Sequence, residues 1–149
     1  TTSGTQQNVV LEKASKIENH GSPLFDLFQV TYNVFEQSTY DTLTELIKQG
    51  KKIVIKEGVA NGRIYNQTPA LLKQLSEKYH VGIDAVALRF IFDSIQPFVV
   101  LSGAFSKKQL IDNLKTLTFK LSQEELKELQ NLKVNPNTYW NERKELNWN

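Results

Sequence analysis

The stretch Ser102-Gly103-Ala104-Phe105-Ser106, with Gln109 and Asn113 beyond it, carries the residue types and spacing best suited to chemistry. An apolar run at 98–101, bounded by Pro97, precedes it and reads as a strand buried on both faces. Gly103 ends that strand. Ser106 is a candidate N-cap for the helix that follows, because a serine hydroxyl accepts from a free N–H of the first turn. A strand, a glycine turn and a fresh helix N-terminus make a ready anion site, with unpaired N–H groups and a positive dipole end facing one space. Asn113 falls about two helical turns beyond Ser106, and Gln109 one turn before Asn113, so all three can face the same way. The same pattern also describes an ordinary strand-to-helix connection.

A second candidate follows the run Ile53-Val54-Ile55. Lys56 and Glu57 come directly after it, at the C-terminal mouth of a strand. Gly58 and Asn61-Gly62 then describe a long shaped loop. The adjacent opposite charges read either as a functional pair or as a local salt bridge. In the run 25–35, Gln29, Thr31 and Asn33 alternate with β-formers. They read either as the solvent side of an antiparallel strand or as the polar interior of a barrel, because side chains alternate with period two. His20 lies in a turn-rich segment and reads as a solvated residue. No second histidine or cysteine stands at ligand spacing beside it, so no metal site is predicted. His80, at a helix–turn junction, reads as a partner for a helix C-terminus.

Helices are needed to position these groups. Apolar spacing predicts them at 6–17, at 39–49 with Ser38 or Thr39 as cap, and from Thr68-Pro69 to a break at Val81-Gly82. A strongly apolar helix follows at 83–95, with Asp84 contributing to its cap and Arg89 paired or snorkelling. Another runs from Ser106 to about residue 117, and the capping box Ser122 to Glu125 opens the last. Strands separated by helices require parallel pairing, so the class is α/β. In such folds functional groups gather at the strands' C-terminal ends, where the loops at 1–5, 33–38, 56–63 and 102–106 are all placed. One domain is expected over 1–132. Residues 133–149 read as a surface tail docked by Trp140 and Trp148.

Composition narrows the classes. The chain has 149 residues, 18 basic and 16 acidic side chains and a net charge of +2, a balance that argues against a nucleic-acid surface. It has no cysteine, hence no disulfide framework or thiolate chemistry, which fits a reducing, cytoplasmic compartment. No apolar run approaches the roughly 18 residues of a membrane helix. With no methionine anywhere, Thr1 is expected to follow a processing, truncation or cleavage point.

Taken together, these motifs resemble the C-terminal half of an aldo-keto reductase. Ser102 to Ser106 with Gln109 and Asp112-Asn113 looks like the family's clamp for the adenosine phosphate after the last barrel strand. Gln29-Val30-Thr31-Tyr32-Asn33 looks like the sixth strand, whose glutamine holds the nicotinamide amide. Asn61-Gly62-Arg63 looks like the loop over the pyrophosphate. Thr1-Thr2-Ser3-Gly4 looks like the end of the fifth strand, and the segment from Leu72 to Arg89 looks like the seventh helix.

The resemblance implies about strands 5–8, with their helices, of a parallel (β/α)8 TIM-type barrel, and hydride transfer between NADP(H) and a carbonyl. The implied cofactor contacts are Thr1, Thr2, Gln29, Lys56, Glu57, Gly62, Arg63, Gly103, Ser106, Gln109, Asp112 and Asn113. The family's catalytic tyrosine and its partners belong to the other half, so no catalytic residue is assigned. Lys56 stands where many members carry an aromatic, and Gln109 where many carry an arginine. An amide cannot make the bidentate charged contact of a guanidinium, so NAD is admitted beside NADP. The expected partners are a nicotinamide nucleotide, a small carbonyl substrate once the barrel is complete, and either a second copy or a complementary half. The alternative is a non-catalytic half-barrel module that binds nucleotide or dimerises.

Overall fold

Ile53 and Ile55 point the same way from one strand, and the core is arranged around the face they make. The computed structural model describes residues 1–147. Its main sheet has three parallel strands in the order β3 (Leu27–Thr31), β4 (Lys52–Lys56), β5 (Val99–Val100), flanked earlier in the chain by α1 (Gln7–Ser15) and a small hairpin, β1 (Glu18–Asn19) and β2 (Ser22–Pro23). Register aligns Gln29 with Val54 and Val99, and Val30 with Ile55 and Val100. Between the strands lie α2 (Tyr40–Lys48), α3 (Arg63–Asn66), α4 (Ala70–Tyr79) and α5 (Ile83–Ile95). After them come α6 (Lys107–Leu114), α7 (Gln123–Gln130) and α8 (Pro136–Lys144).

Phe28, Val30, Tyr32, Ile53 and Ile55 are all buried, beneath α2 and α5. Full burial of each such side chain contributes about 1.5–3 kcal/mol. Tyr32 stacks on Phe90 of α5 at 5.9 Å between ring centroids. The opposite sheet face is covered only in part: Leu27 and Val99 are exposed, Gln29 and Val54 half-buried and Thr31 buried. The expectation of a last strand buried on both sides therefore fails: Phe98 is 60% exposed and Leu101 41% exposed. The helices cover the Ile55 and Val100 side while Leu101 lies on the other, and Phe98 falls before a strand that shrinks to two residues.

Several other expectations need correction. The strand expected over 25–35 ends at Thr31, because the Asn33 side-chain oxygen accepts the Phe35 and Glu36 amides, both at 3.0 Å, and turns the chain. Thr31 and Asn33 are buried and Gln29 half-buried, so this parity is not a solvent face. Helix α1 buries Gln7 and Leu11 but leaves Val9 and Val10 exposed. Thr39 makes no side-chain cap on α2. Thr68 does not cap α4. Its hydroxyl donates back to the Ile64 carbonyl at 2.7 Å and closes the unforeseen α3. The break at 19–23 is a hairpin whose turn, His20-Gly21, takes positive φ at both residues. His80 also has positive φ and terminates α4, with Val81 N donating to Ser76 O at 3.1 Å.

Residues 133–149, expected as a docked surface tail without clear periodicity, hold α8, capped by Asn135 with Pro136 in the first turn. Tyr139 and Trp140 of α8 are buried, whereas Trp148 lies outside the described residues. Asn33 Nδ2 donates to Tyr139 Oη at 2.8 Å and to the Glu57 carbonyl at 2.9 Å. Burial pushes the Tyr139 hydroxyl up to about 12, against the opposing effects of Asn33 and Arg63. Arg89 is paired, donating from Nε to Asp93 Oδ2 at 2.8 Å.

The capping box of α7 forms as the sequence indicates: Ser122 Oγ accepts Glu125 N–H at 3.2 Å and Glu125 Oε2 accepts Ser122 N–H at 2.7 Å. Glu125 also takes Lys78 Nζ and Tyr79 Oη, each at 2.7 Å. Burial alone would raise the Glu125 pKa, but Lys78, the Ser122 amide and Tyr79 bring it below the usual glutamate range.

Two stability predictions follow from these contacts. Tyr139→Phe removes the acceptor for Asn33 and should cost about 1–2 kcal/mol in urea denaturation. Glu125→Gln should cost about 1 kcal/mol at pH 7. Because the folded-state pKa of Glu125 is depressed, its contribution is present above the ordinary value of about 4.3 and is lost as pH falls through the lower folded value. The gap between wild type and variant should therefore narrow on titration from pH 7 to pH 3. A gap independent of pH would refute this account.

Candidate active site

The loop after β4 and the loop after β5 meet across a cleft of about 420 Å³. The first contains successive left-handed residues: Glu57, Ala60, Asn61 and Gly62 all have positive φ, and 60–62 form a 3-10 turn. Gly58 is required by proximity, since a Cβ there would lie 2.8 Å from Leu88 Cδ2 of α5. The second loop is laced to the first turn of α6. Ser102 Oγ accepts Ala104 N–H at 3.2 Å, Gln109 Oε1 accepts Phe105 N–H at 3.1 Å, and Ser106 Oγ caps the helix through Gln109 N–H at 3.2 Å. The positive end of the α6 dipole therefore faces a loop whose shape is held by side chains.

Six of the sequence-predicted residues line this cleft: Lys56, Glu57, Gly62, Gly103, Gln109 and Asn113. Asn113 is only 7% exposed and donates from Nδ2 to Ser102 O at 3.1 Å, while its Oδ1 is buried with no protein partner. Asn61 Nδ2 is likewise buried without a partner. Asn113 and Asn61 thus line the cleft while each keeps one buried amide atom unsatisfied, at a cost of about 1–3 kcal/mol apiece, which is unusual outside a binding site.

The other predicted residues lie elsewhere or serve the scaffold. Ser106 is consumed as the α6 cap. Thr1, Thr2 and Gln29 line a separate groove of about 200 Å³ beside β3, where Thr2 N–H donates to Gln29 O at 2.9 Å in place of a regular fifth strand. Arg63 is turned away from the cleft and is 5% exposed. It lies over the Tyr139 ring at 3.9 Å and donates to the carbonyls of Ala60 and Tyr139, both at 3.1 Å, so α8 captures the guanidinium. Asp112 pairs at the surface with Lys115 at 2.9 Å, and that contact lowers its pKa. Glu57 does not pair with Lys56. Arg143 of α8 holds its carboxylate through Nε at 2.9 and 3.0 Å.

Sequence reasoning passed over Tyr65 and the wall-lining role of Asp84. Burial, then the neighbouring Asp84 charge, pushes the Tyr65 hydroxyl up to about 12, which keeps it a hydrogen-bonding group at neutral pH. The available signal was Gly82: a Cβ there would lie 2.2 Å from Asp84 Oδ1, so the glycine makes room for the carboxylate. A larger groove of about 690 Å³ runs between the start of α2 and the α7–α8 connection. None of its lining residues carries an orphaned buried polar atom, so the smaller cleft is the better candidate. Among the described residues no cluster of histidine, cysteine or carboxylate side chains could hold a metal ion, and no helix is long and apolar enough to cross a membrane.

With this geometry in hand, comparison with known proteins is decisive at the level of family. A family model described as the aldo/keto reductase family matches residues 5–134. The chain belongs to the aldo/keto reductase family. A search of curated proteins gives no match. Among solved structures, the chain is similar to a thermostable aldo-keto reductase in complex with the inhibitor epalrestat, at 20% identity and a TM-score of 0.64, over 81% of this chain and 43% of that one. It is also similar to an aldo-keto reductase from a Medee basin deep-sea metagenome library, at 15% identity and a TM-score of 0.64, over 88% and 45%. At these identities the likeness is one of fold. The aldo/keto reductase chain described here spans less than half the length of either structure.

Gly82→Ala should displace the Asp84 carboxylate from the Ala85 amide and lower stability by about 1 kcal/mol or less, since the atom displaced is the end of a side chain. Chemical denaturation with α5 monitored by hydrogen exchange would check this, and unchanged protection at Asp84 and Ala85 would contradict it.

Proposed function

We propose that this chain is the C-terminal, cofactor-binding part of an NADP(H)- or NAD(H)-dependent reductase of carbonyl compounds, built on about strands 5–8 of a (β/α)8 barrel. The observation that carries the reading is the cleft itself. Asn113 and Asn61, each with one buried amide atom that lacks a protein partner, both line it, between two shaped loops at the C-terminal ends of parallel strands. The partly covered sheet face supports the incomplete barrel. Closing about eight strands into a barrel would cover such a face from the other side.

The residues present divide the work of holding a dinucleotide. Asn113, Asn61 and the α6 N-terminus bind the nucleotide end, and the lacing of 102–106 keeps that site formed before the ligand arrives. Gln29 lies two strands across from β5, about 10 Å away at the usual strand spacing, on the partly covered face. It is placed to orient the other end through its amide. When bound, a nicotinamide ring supplies the hydride. No side chain of this chain is assigned as the proton donor, so turnover needs residues supplied by the rest of the barrel. The non-catalytic rival, a half-barrel that dimerises or binds nucleotide alone, is favoured by the uncovered apolar residues Leu27, Val99 and Leu101.

Isothermal titration with NADPH and NADH tests the reading. At least one should bind, Asn113→Ala should weaken that binding about tenfold, and aldehyde reduction should be absent from this chain alone. Binding that survives Asn113→Ala unchanged would move the site elsewhere. An absence of binding, joined to a native mass that is a multiple of the chain mass, would favour the dimerising scaffold.

A further inference from the structure

The cleft is built with fixed negative charge where a phosphate reader would need positive charge. Asp84 lines it and is 6% exposed. The carboxylate is held in place: Oδ1 accepts Ala85 N–H at 2.9 Å and folds back over Gly82, where an added Cβ would lie 2.2 Å from it. The Tyr65 hydroxyl stands beside it. Gln109 is neutral and tethered, since its side-chain carbonyl holds the Phe105 amide. Among the described residues that line the cleft, Lys56 is the one cation, and it stands against two carboxylates, Glu57 and Asp84. Arg143 engages Glu57, which leaves Asp84 as the carboxylate whose described partners are an adjacent amide and a phenol.

We propose that Asp84 makes this cleft select an unphosphorylated ribose, so that the chain binds NAD(H) in preference to NADP(H). The inference rests on the reading above that the cleft holds the nucleotide end of a dinucleotide. A ribose 2′,3′-diol donates hydrogen bonds to a carboxylate, and such charge-assisted bonds are about twice as strong as neutral ones. A 2′-phosphate brings like charge against Asp84 in a partly buried site, where repulsion is poorly screened. Tyr65, exposed on the cleft wall, remains available as a neutral hydrogen-bonding group for the sugar. Asp84 is thus a binding residue that acts by attraction to one ligand and repulsion of the other.

The test titrates the 149-residue chain with two matched pairs: NADH against NADPH, and ADP-ribose against 2′-phospho-ADP-ribose. The unphosphorylated member of each pair should bind at least about tenfold tighter. In Asp84→Asn, which keeps an acceptor for the Ala85 amide but not the charge, the ratio should fall to about threefold or less. Phosphorylated ligands that bind as tightly as their partners, or tighter, would overturn the inference while leaving nucleotide binding intact. A ratio unchanged in Asp84→Asn would overturn the role of Asp84. If Asp84→Asn fails to fold, the two wild-type ratios decide. If no ligand of either pair binds, the nucleotide reading and this inference fall together.

Discussion

A parallel sheet carries its backbone partners on both edges and its apolar side chains on both faces, and it is stable where both faces are covered. Here one face is covered by α2 and α5, and the other presents Leu27, Val99 and Leu101 to solvent. This imbalance governs the rest of the molecule. It concentrates the sheet's apolar burial on the side carrying Ile53, Ile55 and Val30, in keeping with the nearly all-round apolar character of α5. That helix must serve the sheet, α4 and α7 at once. It also accounts for the brevity of β5, whose two paired residues are held from one side.

The cleft lies between the loops that leave the C-terminal ends of β4 and β5. Its two loops are shaped by residues in left-handed backbone and by short side-chain-to-backbone bonds, so the site does not depend on long flexible side chains. Preformed loops of this kind lower the ordering cost of binding. Asn113 and Asn61 keep hydrogen-bonding capacity unspent within that fixed frame, which is the local inconsistency expected of a binding site rather than of a core.

Much of this was legible in the sequence, because short-range rules control it. The apolar run of α5, the box Ser122 to Glu125 and the cap at Ser106 are each decided within a few residues, and each appears in the structure. The order of strands and helices likewise reads through to parallel pairing. What was not legible depends on partners far along the chain. Arg63 follows an Asn-Gly turn and has the chemistry of a phosphate reader, yet its direction is set by a ring 76 residues away. The polar segment around Tyr139 shows little helical periodicity because it buries only two aromatic residues and is otherwise held by polar contacts to distant loops. Asp84 looked like a helix cap, and only the close approach of Gly82 reveals that it is turned into a wall.

Helix α8 has a consequence for the order of events during synthesis. Its tyrosine bonds to Asn33, which lies 106 residues earlier, and its Arg143 bonds to Glu57, 86 residues earlier. Both earlier residues belong to loops that leave the ends of β3 and β4. A growing chain emerges N-terminus first, at roughly 5–20 residues per second, and closing long loops costs entropy before any contact rewards it. The sheet and its covering helices can therefore assemble on the ribosome while those two loops stay unlatched. The latch is therefore last in the order of synthesis, after both of the loops that it fastens.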